Sequence, residues 1–311
     1  MRLRTLCQLL LCCFLTTVAC SAQGEDTKLL KAMVLTGQNN HGWEALSARL
    51  QEALEETKLF DVDVVLSPPK GGDMSTFNPD FSSYDVIVIE YNGDDWSESV
   101  QKSFEHYMEN GGGMVFTHAV NHTFADWDAF NLMMGIGGWG GRNEKHGPFV
   151  HWRDGKIFLD DRPGHAGECI DAHAFQVTTR EPDHPIMRGL PPVWLHGKDE
   201  LYSNQRGPAE NMTILATAYS DPKYEAHWGV EKQGTGEHEP MLFTVRYGKG
   251  RVFGTPMGHV DYGAKPGAPA PAMDCEGFIT LVQRGAEWAA TGKVTQKLPE
   301  TFPTADKVSL R

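Results

Sequence analysis

His118 stands in the stretch MVFTHAVNHTFADW (Met114–Trp127), where an apolar run turns into a polar loop carrying two histidines and an asparagine. An imidazole at such a turn can take or give a proton near neutral pH, or bind a metal. The strand–turn–helix setting resembles that of a nucleophile, but neither G-x-S-x-G nor G-x-C-x-G is present, so an activated serine or cysteine is not expected there. Glu90 ends the apolar run of DVIVIEYNGDDW, where an unpartnered carboxylate would be costly. His259 closes the segment GTPMGHV in the same way. His118, Glu90 and His259 are therefore the candidate acid–base groups.

Other polar residues gather at comparable turns. In TGQNNHGWE, Asn40 and His41 precede a helix start, a place that suits an anion or a sugar hydroxyl. Capping of that helix by Asn39 or Asn40 would explain the asparagines equally well. Asn121 is expected to share a cleft with His118, with His122 and Trp127 further along the same turn. In GIGGWGGR the glycines would let the backbone approach a ligand, Trp139 could stack on a sugar ring, and Arg142 could hold a carboxylate or carbonyl oxygen. KDELYSNQ adds Asp199, Glu200 and Tyr202; His184 and His227 are further candidates.

Thirteen histidines raise a divalent metal as a cofactor, but no H-E-x-x-H or C-x-x-C is present. From spacing alone, His118 with Asn121 or His122 supplies two ligands at most. No cofactor is fixed by sequence. There is no Walker loop, and no G-x-G-x-x-G directly after a strand, which disfavours nucleotides.

The elements that must position these residues follow from periodicity. KAMVLTG (residues 31–37) reads as a buried parallel strand, and DVDVVLS (61–67), YDVIVIEYN (84–92), apolar throughout its middle, and GMVFTH (113–118) read as the next three strands. Between them, Trp43, Leu46, Leu50, Leu54 and Thr57 share one helical face, as do Val100, Phe104, Tyr107 and Met108. Strands alternating with helices predict an α/β fold with a doubly wound, mostly parallel sheet. The second half reads as extra β segments and loops. Among these, residues 239–259 form a hairpin turning at 247–250, before a last helix near 275–290.

The N-terminal residues 1–20 read as an export signal: Arg2 and Arg4, then the apolar LLLCCFLTTV, then small residues. TVAC resembles a lipobox, which would put a lipid on Cys20 and anchor the chain to a membrane; ordinary cleavage after Ala22 is the alternative. Only Cys169 and Cys275 lie beyond it, able to pair or to remain buried thiols. A net charge of −13 repels phosphate backbones, so nucleic acid is not an expected partner.

Taken in order, VLTGQNNHGW, DVIVIEYNGDDW, GGGMVFTHAVNHTFADWDAFNLMMGIGGWGGR, DHPIMRGLP, DELY and VRYGKGRVFGTPMGH resemble the trehalose-utilisation (ThuA-like) family over residues 31–290, leaving 291–311 as an irregular tail. The resemblance implies a class I glutamine amidotransferase-like, flavodoxin-like fold without the amidotransferase Cys-His-Glu triad. His118 would fall near the position of that cysteine, so glutamine hydrolysis is not expected. It also implies an enzyme of carbohydrate metabolism, a hydrolase or lyase acting on glycosides or 3-keto-glycosides; with the export signal, the expectation is an exported protein, periplasmic or lipid-anchored in the envelope. In that scheme His118 is the base, Glu90 or His259 the acid, and Arg142 or a metal the electrophile; Asn40, His41, Asn121, Trp139, Glu200 and Tyr202 bind the sugar. The rival expectation is a non-catalytic carbohydrate-binding protein of the envelope.

Overall fold

The computed structural model describes residues 28–311. The expected export signal and Cys20 lie outside them. Strands β1 (Leu30–Thr36), β2 (Phe60–Leu66), β3 (Val86–Ile89) and β4 (Gly113–Thr117) are the four apolar runs of the first half. They lie parallel in the order β2-β1-β3-β4. In β1, β3 and β4 apolarity on both faces has a direct cause: alternate side chains enter two different cores, whereas β2 is the edge strand, with Asp61, Asp63, Val64 and Leu66 exposed. Ala32, Val34, Val86, Val88 and Val115 enter one. Met33, Leu35, Ile87, Ile89, Met114 and Phe116 enter the other. Helix α1 (Trp43–Glu56) buries Leu46, Leu50 and Leu54 in the first core. Helix α2 (Glu98–Glu109) buries Val100, Phe104, Tyr107 and Met108 in the second.

After β4 the chain leaves the parallel sheet. It forms a 3-10 turn, His118–His122, then the short α3 (Asp128–Met134). Strands β5 (Phe149–Arg153), β6 (Lys156–Asp160), β8 (Gln176–Thr179), β9 (Val193–Leu195), β11 (Met212–Tyr219) and β13 (His238–Tyr247) extend the sheet antiparallel. The hairpin then returns β14 (Gly250–Thr255) parallel to β4, completing five parallel strands. Helix α4 (Glu276–Thr291) packs on β4 and β14 with nearly its whole surface covered. Its buried Glu276 and Glu287 are matched by the tail: Arg311 pairs with Glu276, and Thr295 donates twice to Glu287.

Three further strands form a small sheet: β7 (Glu168–His173), β10 (Asp199–Ser203) and β12 (Ala226–His227), in the order β10-β7-β12. Cys169 lies on β7 and Cys275 precedes α4; both are buried and free, so the expected alternative of a disulfide is not realised. No described helix is long and apolar enough to cross a membrane.

Candidate active site

In a sheet of order β2-β1-β3-β4 the connections reverse direction between β1 and β3, and ligands bind at the carboxyl ends on either side of that point. The carboxyl ends of β1, β4 and β14 deliver His41, His118 and His259, and the small sheet brings Glu200 and Tyr202 of β10 against them.

His118 follows β4 directly, fully buried, with φ of 33°. That left-handed backbone is uncommon outside glycine and turns the ring abruptly out of the strand. Its Nδ1 lies 2.8 Å from the Pro256 carbonyl oxygen, which can only accept, so Nδ1 carries the proton. The Nε2 lone pair then faces the site and accepts from the Tyr202 hydroxyl at 2.7 Å.

His41 is held by its own loop. Asn39 Oδ1 accepts from the His41 backbone N–H at 3.0 Å, and Asn39 Nδ2 donates to Glu90 Oε1 at 3.3 Å. Neither Asn39 nor Asn40 caps α1, whose N-cap is Gly42 with no side-chain cap; this corrects the capping alternative. Glu90 is wholly buried and also accepts from the Thr117 hydroxyl. Burial pushes its carboxyl up to about 8 against the pull of the Thr117 and Asn39 hydrogen bonds. It stands behind the pocket, not in its lining, and braces the His41 loop through Asn39.

His259 is fixed from the backbone. Asp199, fully buried, accepts from the N–H groups of Gly258 (2.8 Å) and His259 (3.1 Å) and from His196 Nε2 (2.8 Å). Burial pulls the His196 imidazole down, but hydrogen bonds to Asp199 and Cys275 outweigh it and leave it at about 9. Gly258 has φ of 110°, and a Cβ there would meet the Phe278 ring at 2.8 Å, so only glycine fits this bend.

The three rings meet edge to face, with centroids 4.7 Å apart for His41–His118, 5.1 Å for His41–His259 and 5.2 Å for His118–His259. Glu200 lies between them, its carboxylate oxygens 3.8 Å from His118 Nε2 and 3.7 Å from His259 Nε2. One donor atom from each of His41, His118, Glu200 and His259 falls within 4.8 Å of the others. Burial and the neighbouring imidazoles push His41 down to about 3 and His118 well below its usual range, so both are neutral. Burial moves the Glu200 carboxyl upward.

A pocket of about 340 Å³ opens beside this cluster, lined by Asn40, His41, His122, Trp139, Cys169, Glu200, Tyr202 and Trp228. Trp139 lies over His122 at 4.3 Å between ring centroids, and its indole N–H donates to the Trp228 carbonyl. The Trp228 ring is 81% exposed at the rim. Asn40 accepts from Asn92 at the mouth.

The structure thus brings together His118, His259, His41, Asn40, Trp139, Glu200 and Tyr202. It does not bring Arg142 to them: that guanidinium is buried and donates to the carbonyls of Asn121, Thr123 and Gly138 and to Asn131 Oδ1. Its expected contact with substrate is replaced by a brace on the His118–His122 turn. Asn121 serves the same turn, donating to the His118 carbonyl at 2.8 Å, and does not line the pocket. The neighbouring glycines fit the chain to itself: a Cβ on Gly138 would stand 2.9 Å from the Gly167 Cα. His184 packs on Trp288 and His227 pairs with Asp171, both outside the pocket lining. Sequence reasoning missed His196, Trp228 and the pocket role of Cys169. No spacing signals them, because they reach the site only through the second-half strands.

The model of the Trehalose utilisation (ThuA) family matches residues 31–289. The chain belongs to this family. A ThuA-like protein of known structure from Parabacteroides merdae is 46% identical, with a TM-score of 0.85 over 91% of this chain and 98% of that one. A second, from Bacteroides uniformis, shares 19% identity with a TM-score of 0.53, over 86% and 93% of the two chains, and bears on the fold alone. No curated protein matches the chain. The fold of this family member is therefore the α/β, mostly parallel sheet that the alternating elements predict, and it is flavodoxin-like as the resemblance implies.

Proposed function

We propose that this ThuA-like chain is an exported enzyme that cleaves glycosides, foremost 3-keto-glycosides, by proton transfer in this pocket. One observation carries the reading: Glu200, Tyr202 and His41 line one small cavity walled by Trp139 and Trp228, with His118 hydrogen-bonded behind Tyr202 and His259 beside Glu200. Aromatic faces suit the apolar face of a pyranose, and the cavity has the size of a small-ligand site.

In a 3-keto-glycoside the C2 proton is acidified by the ketone. The Glu200–His259 pair is placed to take that proton. The electron pair forms the C1=C2 bond as the C1–O bond breaks, and the leaving oxygen takes a proton from Tyr202. Water then adds at C1 and a proton returns to C2, so the net reaction is hydrolysis consuming one water. His118, neutral and with Nε2 aimed at Tyr202, orients that hydroxyl, and the proton Tyr202 gives to the leaving oxygen is restored from the water that adds at C1. Glu90, first expected to act as the acid, supports the site from behind.

The test is a panel of disaccharides and their 3-keto forms, with products followed by mass spectrometry. Keto forms should be cleaved, and Tyr202→Phe should lower kcat by about 10²-fold or more in a protein that stays folded. Unchanged turnover in Tyr202→Phe would remove the acid role. Saturable sugar binding with no turnover of any compound would instead favour a carbohydrate-binding protein of the envelope.

A further inference from the structure

We propose that His41, His118, Glu200 and His259 form a site for one divalent transition-metal cation of the zinc class. The donors come from four separate segments: the loop after β1, the turn after β4, strand β10 and the loop after β14. Side chains so distant in sequence converge on a point for a reason, and simple burial does not supply one. Their donor atoms lie within 4.8 Å of one another. Ligands about 2.0–2.2 Å from a tetrahedral ion stand roughly 3.4 Å apart. The two Glu200 contacts, 3.8 and 3.7 Å, are within a few tenths of an ångström of that spacing. The widest pair has up to about 1.4 Å to close.

The cluster also lacks the bonds that a purely structural polar network would have. The rings meet edge to face, and no hydrogen bond joins one imidazole to another. His41 is 8% exposed and its Nδ1 is buried with no partner. Leaving such groups unsatisfied is costly, and an ion offsets that cost.

The supporting contacts are those a metal ligand needs. A ligating histidine donates its other N–H to a carbonyl or carboxylate, which fixes the ring. His118 does this to Pro256 at 2.8 Å, leaving Nε2 to face the cluster. Asp199 clamps the backbone that carries His259, and Asn39 clamps that of His41. Three imidazoles and one carboxylate, without a thiolate, select zinc, iron, nickel or copper over the hard cations magnesium and calcium.

Tyr202 is the one competitor, since its hydroxyl uses the His118 lone pair. A bound ion takes that lone pair and leaves the Tyr202 hydroxyl beside it, still available as the acid. Such an ion would polarise a sugar ketone and acidify a bound water, which would take over the role of base. That consequence rests on the function proposed above; occupancy of the site does not.

The experiment strips the purified protein with EDTA and titrates it with zinc against a chromogenic chelator. A parallel titration with cobalt is read by its visible absorption. Wild type should take up one equivalent and give the intense visible bands of cobalt in a low-symmetry, histidine-rich site. His118→Ala and the milder Glu200→Gln should each weaken zinc by about 100-fold or more, beyond the effect of losing an outer partner. His106→Ala, on the far-removed helix α2, should leave uptake unchanged, with circular dichroism confirming the fold of each variant. No stoichiometric uptake by wild type, or equal uptake in Glu200→Gln and wild type, would overturn the proposal. Uptake without turnover of any glycoside would retire the carbohydrate reading and keep the metal site. Turnover indifferent to EDTA, with no uptake, would do the reverse.

Discussion

Glu90→Gln tests the electrostatics under the site. Glu90 is completely buried, and burial moves its carboxyl from 4.5 to about 8. Because the folded value lies above the unfolded one, the native state holds a proton that the unfolded chain has lost at neutral pH. The group's stabilising contribution is complete below pH 4.5 and is lost as pH rises towards 8. At about 1.4 kcal/mol per unit, that is a loss of about 3 kcal/mol by pH 7 and about 5 kcal/mol by pH 9, as upper bounds. Glutamine has the same shape and no proton to lose. Its oxygen can accept from Asn39 and its NH2 can donate to the Thr117 oxygen, the two partners Glu90 already has. Urea unfolding of both proteins at pH 5, 7 and 8.5 should show near-equal stability at the lowest pH. The variant should gain by a few kcal/mol as pH rises. A difference that does not change with pH, or a variant that is weaker by several kcal/mol throughout, would show that Glu90 is ionised in the native state and refute the reasoning.

Two further outcomes follow from buried groups. Asp199→Asn should cost about 3 kcal/mol or more in urea unfolding, because an amide cannot accept from the Gly258, His259 and His196 N–H groups together. Stability within about 0.5 kcal/mol of wild type would contradict the clamp. Cys169 lines the pocket, but burial pushes its thiol up to about 12. At pH 7.5 iodoacetamide should therefore modify it far more slowly than a free cysteine, read by mass spectrometry; labelling at the free-thiol rate would refute it.

The parallel strands and their helices were legible because burial on two faces leaves a local mark. Ala32, Met33, Val34 and Leu35 are all apolar because each core claims alternate members of the run. Val100, Phe104 and Met108 repeat at helical spacing because α2 has one buried face. His118 was legible as a candidate because a polar turn directly after an apolar strand must lie at the sheet's carboxyl edge.

The partners of His118 were not legible in that way. Glu200 and Tyr202 are more than eighty residues away and reach it only because the small sheet of β7, β10 and β12 brings β10 against the strand ends. Asn40 and His41 were read correctly as strand-end residues, yet Asn39 proved to brace His41 and not to cap α1. Arg142 shows the limit most clearly. Its type suited a ligand as well as it suited a brace, and only packing decided that its guanidinium binds four acceptors of the protein itself. Sequence by itself determined the class of fold, the sheet edge and the residue types offered there, since these depend on local periodicity. Which of those residues share one cavity, and with what protonation, was decided by tertiary structure, because convergence and desolvation are properties of the assembled chain.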